Sequence, residues 1–575
     1  MRLFGKAALL AFSLLVPLCV GAQARDEAPE AATGREGKQA VVAPRTMVAA
    51  ANPHAVDAGI EILRAGGSPV DAAIAVQMVL GLVEPQSSGI GGGAFLLYWS
   101  QEAKRVRSYD GRETAPAAAR VDRFLGADGN PLPRYEAVVG GRSVGVPGVL
   151  RMLELAHREH GRLPWARLLE PAIRLAESGF PMSNRLHRLL ERERALRADP
   201  AARQLFYTAS DRARPIGERI VNAEYAATLR ALAAKGADAF YRGAIAEDLV
   251  RAVRTHAGDM TLEDLTGYAA IEREPVCGTY RGRRVCGVGP PSSGGVSVLQ
   301  MLGILERSSF GSAPPQSAQA LHLFSEAGRL AYADRLRYIG DPVFVSQPVA
   351  GLLEPEYLAA RARLVGERSM GRAQAGAPRG AAAMSDAGEY AFAGTSHISI
   401  VDERGDAVAM TTTIEDAFGS RIMVRGFLLN NQLTDFSWVP EVNGRPVANR
   451  VEPGKRPRSS MSPTFVFDAD GSLRLVVGSP GGTAIINYVA KALVAVLDWG
   501  LDAQAAVALP NFGSRNGPTE IERGTAYEML APELQARGHE VSILNLTSGL
   551  HVIEKIPGGW RGGADPRREG VARGD

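Results

Sequence analysis

The stretch 394-GTSH-397 opens the part of the chain that decides its fold. It begins a run, 395-TSHISIV-401, in which β-branched residues recur, and a second such run, 407-AVAMTTTI-414, follows closely. Between them lies the short loop 403-ERG-405. A three-residue hairpin loop with a bulge needs a positive φ at its last position, which glycine supplies. The pattern therefore predicts a β-hairpin.

The register of this hairpin places Thr395 beside a second threonine. If Asp402 pairs with Asp406, the numbers of cross-strand partners sum to 808, so Thr395 faces Thr413. Directly opposed residues have Cβ atoms about 5 Å apart. A threonine that opens a strand beside another hydroxyl suits a nucleophile whose own α-amine, freed by chain cleavage, acts as its base. The alternative is an ordinary hairpin with threonine at favoured strand positions.

Two segments that precede Thr395, residues 1–24 and residues 373–394, have distinctive compositions. Residues 373–394 are rich in Ala and Gly, which predicts a flexible stretch with little to pack. Residues 1–24 have Arg2 and Lys6, an apolar run and an A-x-A site, which together indicate a secretory signal peptide. The apolar run is short for a membrane span. We therefore expect an exported protein, periplasmic or secreted, without a membrane anchor.

Charge and cysteine content narrow the function classes. The net charge is +3, and the sequence has neither a basic stripe nor an aromatic platform, so no nucleic-acid partner is expected. Cys277 and Cys286 flank a predicted turn and are candidates for a disulfide in an oxidising compartment, with free thiols as the alternative. The nine histidines form no obvious ligand cluster. We expect neither a metal nor a cofactor.

Two glycine-containing motifs point to functions that the sequence context rejects. Glycines 91-GGG-93 resemble a dinucleotide-binding loop, but a strand follows them where that motif requires a helix. A tight backbone approach within the core is the better interpretation. The stretch 141-GRSVG-145 matches the G-x-S-x-G elbow of esterases, but Val-Pro-Gly at 146–148 stands where a helix should begin.

Helix signals flank the predicted strands. Residues 52–83 predict two helices, the first opened by Asn52-Pro53 and the second by 68-SPVD-71, which supplies a cap, a proline and an early acid. Arg112 is expected on an exposed loop after a strand. Gly481 and Gly482 precede another helix and offer backbone N–H groups to an oxyanion.

With these motifs in hand, the chain resembles the γ-glutamyltransferase family, exported enzymes of the N-terminal-nucleophile class. The resemblance covers nearly the whole chain after residue 50, up to 564-ADPRR-568. Four motifs carry it in the family's order and spacing: GTSH at 394–397, LLNNQ-x-x-DFS at 428–437, KRP-x-SSMSPT at 455–464 and GSPGG at 478–482.

The resemblance implies a fold, a processing event and a set of roles. The fold is α+β, a four-layer αββα sandwich to which both subunits contribute as one globular unit. A cut between Gly394 and Thr395 would yield a large subunit, residues 25–394, and a small subunit, residues 395–575, which remain paired as a heterodimer. Thr395 would be the nucleophile, assisted by Thr413, with Gly481 and Gly482 as the oxyanion hole. The residues implied at the substrate are Arg112, Ser459 and Ser460 for its carboxylate, and Gln432 and Asp435 for its ammonium.

Two positions depart from the family pattern. Glu415 stands where well-known members have Asn, and it is expected either to add negative charge for a ligand ammonium or to pair with Arg421 or Arg425. Residues 438–458, where members often carry an active-site lid, are few and lack the expected tyrosine. These departures bear on the acceptor and on the balance of transfer and hydrolysis.

Three functions are compatible with the sequence. The leading one is a self-cleaving γ-glutamyl hydrolase and transferase acting on glutathione and related donors, with water, amino acids or peptides as acceptors. The second is a related acylase that removes a glutaryl side chain from a β-lactam nucleus. The third is a non-enzymatic amino-acid or peptide binder on an uncut scaffold.

Overall fold

The computed structural model describes residues 32–386, 388 and 394–575. The predicted signal peptide lies outside the described residues, as do most of the residues just before Gly394. The strands are β1 (Val41–Ala43), β2 (Met47–Ala50), β3 (Gly93–Ser100), β4 (Arg105–Gly111), β5 (Phe180–Pro181), β6 (Arg219–Ile220), β7 (Ile271–Arg273), β8 (Val276–Tyr280), β9 (Arg283–Gly287), β10 (Gly394–Val401), β11 (Ala407–Glu415), β12 (Met423–Val424), β13 (Phe427–Leu428), β14 (Glu441–Val442), β15 (Arg445–Pro446), β16 (Thr464–Phe467), β17 (Leu473–Gly478), β18 (Phe512–Ser514), β19 (Thr519–Glu522), β20 (Val541–Leu544), β21 (His551–Ile556), β22 (Gly559–Ala564) and β23 (Val571–Gly574).

Two seven-stranded antiparallel sheets form the centre of the molecule. One has the order β23-β2-β10-β11-β3-β4-β7 and contains the predicted hairpin; the other has the order β1-β22-β21-β17-β16-β9-β8. Each sheet takes strands from both sides of residue 394. The two parts of the chain therefore form one globular unit, as predicted.

Helices cover both outer faces of the sheet pair. They are α1 (Pro53–Arg64), α2 (Pro69–Val83), α3 (Arg134–Val138), α4 (Val149–His160), α5 (Trp165–Ser178), α6 (Asn184–Arg192), α7 (Pro200–Phe206), α8 (Ala223–Lys235), α9 (Asp238–Tyr241), α10 (Ala244–Thr255), α11 (Leu262–Thr266), α12 (Gly294–Glu306), α13 (Ala318–Tyr338), α14 (Val349–Leu352), α15 (Pro355–Ala362), α16 (Ile485–Leu497), α17 (Ala503–Ala508) and α18 (Ala531–Ala536).

Alternating side chains on the hairpin strands feed two separate apolar cores. Ile398, Ile400 and Met410 point to one face and pack with α1, α2 and α5. Val401 and Ala409 belong to the core between the sheets, which continues to α12, α13 and α16. Because successive strand residues face opposite sides, one hairpin contributes to both cores. The predicted α+β four-layer αββα sandwich is confirmed.

Local signals located the first two helices and missed the first strand. Asn52 caps α1, and Ser68 forms a capping box with Asp71 at the start of α2, as predicted. The charged, Ala-rich beginning of the described chain contains β1, which pairs with β22 at the edge of a sheet. Three residues are too few for a periodic signal.

The hairpin has the predicted register. Thr395 lies opposite Thr413, and each later pair through Val401 and Ala407 keeps the same sum. Gly405 has a φ of 83°, so the loop uses glycine where the turn requires it. Cys277 and Cys286 face each other across β8 and β9, and their sulfur atoms are bonded.

The glycines at 91–93 permit a close approach of their backbone to β11 and β13. A Cβ added to Gly91 would lie 2.2 Å from the Leu428 carbonyl oxygen, and one on Gly92 would lie 2.0 Å from that of Thr413. No side chain fits at such distances. The close-packing interpretation of this motif is confirmed.

In the described part of the chain, no helix combines the length and the apolar character that crossing a bilayer requires.

Candidate active site

A small cavity, partly open to solvent, lies at the start of β10. All but one of the residues that the sequence assigned to catalysis and substrate binding line it: Arg112, Thr395, Thr413, Glu415, Gln432, Asp435, Ser459, Ser460 and Gly482. The exception is Gly481, which directly precedes Gly482. The fold thus brings together side chains that are more than 300 positions apart in the sequence.

Thr413 connects the proposed nucleophile to the peptide bond before it. Gly394 and Thr395 both lie in β10, so the structure is that of the unbroken chain. Thr395 Oγ1 donates a hydrogen bond to Thr413 Oγ1 at 3.2 Å, and Thr413 Oγ1 donates to the Gly394 carbonyl oxygen. The backbone N–H of Glu415 also donates to Thr413 Oγ1, at 2.8 Å. One donated and two accepted bonds use the full capacity of a hydroxyl, which fixes its orientation.

This geometry predicts that Thr413→Val slows chain cutting. The variant keeps the shape of the side chain but loses the hydroxyl that polarises the Gly394 carbonyl. Losing one such donor costs about 3 kcal/mol of barrier, or roughly 100-fold in rate. A time course on a denaturing gel measures the loss of full-length chain. Thr412→Val is the matched control, because its hydroxyl faces Gly93, and it should be cut at the wild-type rate.

Arg112 is buried, which corrects the prediction of an exposed loop. Its side chain is 1% exposed and lies one residue beyond β4. The guanidinium donates to the carbonyl oxygens of Pro457 at 3.1 Å and Arg458 at 2.9 Å, and it pairs with Asp435. These contacts engage Nε and Nη2 and fix the orientation of the guanidinium before a ligand arrives.

The surroundings of Glu415 oppose the negative charge that it was expected to add to the cavity. Gln432 Nε2 donates to Asp435 at 2.7 Å, and Asn431 Nδ2 donates to Glu415. Burial, with the nearby charges of Asp435 and Asp416, raises the pKa of Glu415 well above its usual value. Burial and these charges therefore disfavour the ionised form of Glu415, which opposes a second negative charge beside Asp435.

The alternative in which Glu415 pairs with a nearby arginine is wrong. Arg421 pairs with Glu193 at 3.1 Å and with Asp416 at 3.0 Å. Arg425 pairs with Asp248 on a different surface. Glu415 is consequently directed at the cavity.

The paired serines have a partner that sequence reasoning missed. Arg335, in α13, donates from Nη2 to Ser460 Oγ at 2.7 Å and from Nε to Ser293 Oγ at 2.7 Å. It lines the cavity with Arg458. Arg335 lies 125 residues before Ser460, so the sequence gives no indication of this contact. The one sequence feature that could have pointed to Arg335 is its charge within a helix that is buried on nearly every face.

Gly481 and Gly482 begin the turn that leads into α16. Their φ values are 139° and 55°, and a Cβ on Gly481 would lie 2.5 Å from the Tyr488 ring. Only glycine therefore fits this backbone. Gly482 lines the cavity together with Thr395, and N–H groups at a helix start suit an oxyanion.

The region after Ser437 forms a small hairpin, β14 and β15, instead of a long lid. Trp438 is buried and stacks on Phe124 at 5.4 Å, which anchors the start of this segment. The stretch 373–394, which was predicted to be flexible, is held at its first residue. The backbone N–H and carbonyl oxygen of Ala373 each form a hydrogen bond with the side chain of Asn516.

The expectation that the histidines form no cluster is wrong. His322 and His539 share a hydrogen bond of 2.8 Å, and their ring nitrogens lie within 4.8 Å of a carboxylate oxygen of Glu326. Arg329 donates to Glu326 at 2.9 Å, and Thr519 contacts His539 at 2.7 Å. The Arg329 guanidinium and these hydrogen bonds give the polar groups of the cluster their partners, so the cluster is a structural network. Its members are far apart in the sequence, and the fold brings them together.

Ser143 of the G-x-S-x-G stretch is buried and donates to the carbonyl oxygens of Val138 at 2.6 Å and Gly140 at 3.0 Å. It belongs to a 3-10 turn, Gly141–Ser143, with no strand leading directly into it. The rejection of an esterase elbow agrees with this geometry.

The αββα sandwich, with a threonine at the start of a central strand facing a shared cavity, defines an enzyme of the N-terminal-nucleophile class. The family model described as gamma-glutamyltranspeptidase matches residues 55–574. The chain belongs to this family.

Three known proteins illustrate the similarity. The glutathione hydrolase proenzyme of Bacillus subtilis (strain 168) is 37% identical, covering 94% of this chain and 93% of its own length. That of Escherichia coli (strain K12) is 36% identical, covering 96% of each chain. The crystal structure of cephalosporin acylase from Bacillus halodurans has a TM-score of 0.83 at 28% identity, covering 94% of this chain and 98% of that one.

Proposed function

We propose that this protein is a self-cleaving γ-glutamyl hydrolase and transferase that takes the γ-glutamyl group from glutathione and related donors. One observation carries the proposal. The cavity that contains the threonine pair also contains a cation, Arg112, and a carboxylate, Asp435, which lie next to each other as an ion pair. A γ-glutamyl donor carries a carboxylate and an ammonium on one carbon, so it complements both.

Chain cutting uses the contacts already present. Thr395 Oγ1 attacks the Gly394 carbonyl carbon, while Thr413 stabilises the developing oxyanion. The bond from that carbon to the Thr395 nitrogen breaks, the proton passes to this nitrogen, and an ester remains. Water then hydrolyses the ester, leaving a Gly394 carboxylate and a free α-amine on Thr395. The products are a large subunit, residues 25–394, and a small subunit, residues 395–575, which stay associated through the shared sheets.

Turnover repeats this chemistry on the donor. The α-amine of Thr395 takes the proton from its own Oγ1 as that oxygen attacks the γ-amide carbonyl. The N–H groups of Gly481 and Gly482 hold the oxyanion, and the amine returns the proton to the leaving group. Ser459 and Ser460 assist Arg112 at the donor carboxylate. Water, an amino acid or a peptide then accepts the glutamyl group.

A glutaryl acylase is the second candidate, and two observations favour it. A structural relative is a cephalosporin acylase, and burial disfavours a negative charge on Glu415, which weakens the repulsion of a substrate that lacks an ammonium. Asp435 weighs against it, because its charge has no partner on a glutaryl group.

Matched anilides decide between the two candidates. γ-Glutamyl and glutaryl 4-nitroanilide differ only in the α-ammonium, and nitroaniline release reports both. We expect kcat/KM for the glutaryl compound to be lower by about 100-fold or more, because a site built for a polar group rejects an analogue lacking it. Equal or faster glutaryl turnover would reverse the ranking.

We also propose that residues 1–24 direct export and are removed. The bond between Cys277 and Cys286 supports this proposal, because disulfides persist in oxidising compartments.

A further inference from the structure

Arg568 contacts the main chain of Thr395 and is not among the residues that line the cavity. This residue lies in the loop between β22 and β23 and is 3% exposed. Its Nη1 donates to the Thr395 carbonyl oxygen at 3.3 Å, and its Nε donates to the Ser548 carbonyl oxygen at 3.2 Å. The mechanism above assigns no role to this buried cation.

The loop is built to hold the guanidinium in place. Lys38 Nζ donates to three of the loop's carbonyl oxygens, those of Asp565, Arg568 and Gly570, at 2.5–2.8 Å. Asp565 accepts hydrogen bonds from the Ser548 hydroxyl and from the Leu550 N–H at 3.1 Å. A Cβ on Gly549 would lie 2.8 Å from Arg568 Cδ, so the path of the side chain is also fixed by packing.

We propose that Arg568 is a positioning residue whose charge keeps the α-amine of Thr395 unprotonated in the cut enzyme. The inference rests on the proposed function, since only a cut chain has this amine. A residue's carbonyl oxygen and nitrogen are roughly 3–4 Å apart, which puts the guanidinium about 6 Å from the amine. At that distance a cation opposes a second positive charge and favours the free base that the nucleophile needs.

Other charged groups lie near the cavity or near Arg568, and they also affect the pKa of the Thr395 α-amine. Those lining the cavity are Arg112, Arg335, Arg458, Asp435 and Glu415. Those near Arg568 are Glu84, Asp565, Tyr488, Arg185, Glu569, Lys38 and His551. Burial raises the pKa of Glu84 to about 8, so this neighbour is mainly neutral at pH 7. Arg568 keeps its charge there, although burial lowers its pKa to about 10.

The pH profile of donor turnover tests the proposal. An α-amine has an ordinary pKa of about 7.7–8.0, and a cation about 6 Å away lowers it by one to two units. Arg568→Gln should therefore move the acid limb of kcat/KM up by about one pH unit or more. Arg568→Lys retains the charge and should keep the limb near its wild-type position. Arg573→Gln removes a charge from the exposed end of the same segment and should also leave it unchanged.

A second measurement needs no variant. The rate at which the Thr395 α-amine is acetylated in the native wild-type enzyme, followed by mass spectrometry against pH, reports its pKa directly. We expect a value below 7. An ordinary value of about 8, or an acid limb that is the same in Arg568→Gln and wild type, would overturn the inference while leaving the proposed function intact. An active, uncut chain would overturn both.

Discussion

Thr395→Ala should give a single full-length chain with no measurable donor turnover. The variant removes the hydroxyl that donates to Thr413, which in turn donates to the Gly394 carbonyl oxygen, and with it the nucleophile of both reactions. Loss of such a nucleophile lowers kcat by roughly 10⁵-fold or more. A denaturing gel measures cutting, and nitroaniline release measures turnover.

Thr395→Ser is the matched control for this variant. It keeps the hydroxyl and loses one methyl group, so it should cut and turn over donor, more slowly than the wild type. A Thr395→Ala protein that is cut between residues 394 and 395 and remains fully active would contradict the mechanism. The same gel tests the non-enzymatic binder, which would stay uncut in the wild-type sequence.

Arg112→Gln should leave chain cutting largely intact and raise the donor KM. Arg112 contacts the carbonyl oxygens of Pro457 and Arg458 and the carboxylate of Asp435, and it has no contact with Gly394. Removing one partner of a buried charge pair costs about 2–5 kcal/mol, or roughly 30-fold to several thousand-fold in kcat/KM. Steady-state kinetics with γ-glutamyl 4-nitroanilide measure this loss.

A donor without the α-carboxylate shows whether Arg112→Gln removes recognition of that carboxylate or disturbs the whole site. 4-Aminobutyryl 4-nitroanilide keeps the ammonium, and wild-type enzyme should strongly prefer the γ-glutamyl compound over it. This preference should largely disappear in Arg112→Gln, because the group that reads the carboxylate is gone. If the variant kept the full preference, the carboxylate would bind elsewhere, and Ser460 with Arg335 would be the next candidate.

The sequence predicted the hairpin, its register and the first two helix starts because those features depend on neighbouring residues. Gly405 and the Asn52 and Ser68 caps act within a few positions of the structure they form. Motif resemblance then supplied the residues of the cavity. Long-range contacts were beyond either approach, since Arg335 and Arg568 reach the site only once the sheets have packed.

Burial changed the interpretation of two charged residues. Arg112 and Glu415 look like surface groups in a polar sequence context, yet the structure leaves them 1% and 5% exposed. For Glu415 the consequence is chemical, because burial beside Asp435 raises its pKa and disfavours the negative charge expected from the sequence. Desolvation depends on the whole fold and has no local signature.

Intact mass spectrometry of the purified, active protein tests the central claim most directly. The account predicts two chains, the smaller of which begins at Thr395 and therefore carries a free threonine α-amine. A fully active preparation with a single chain that is continuous through the Gly394–Thr395 peptide bond would contradict it, because the nucleophile would then lack its base.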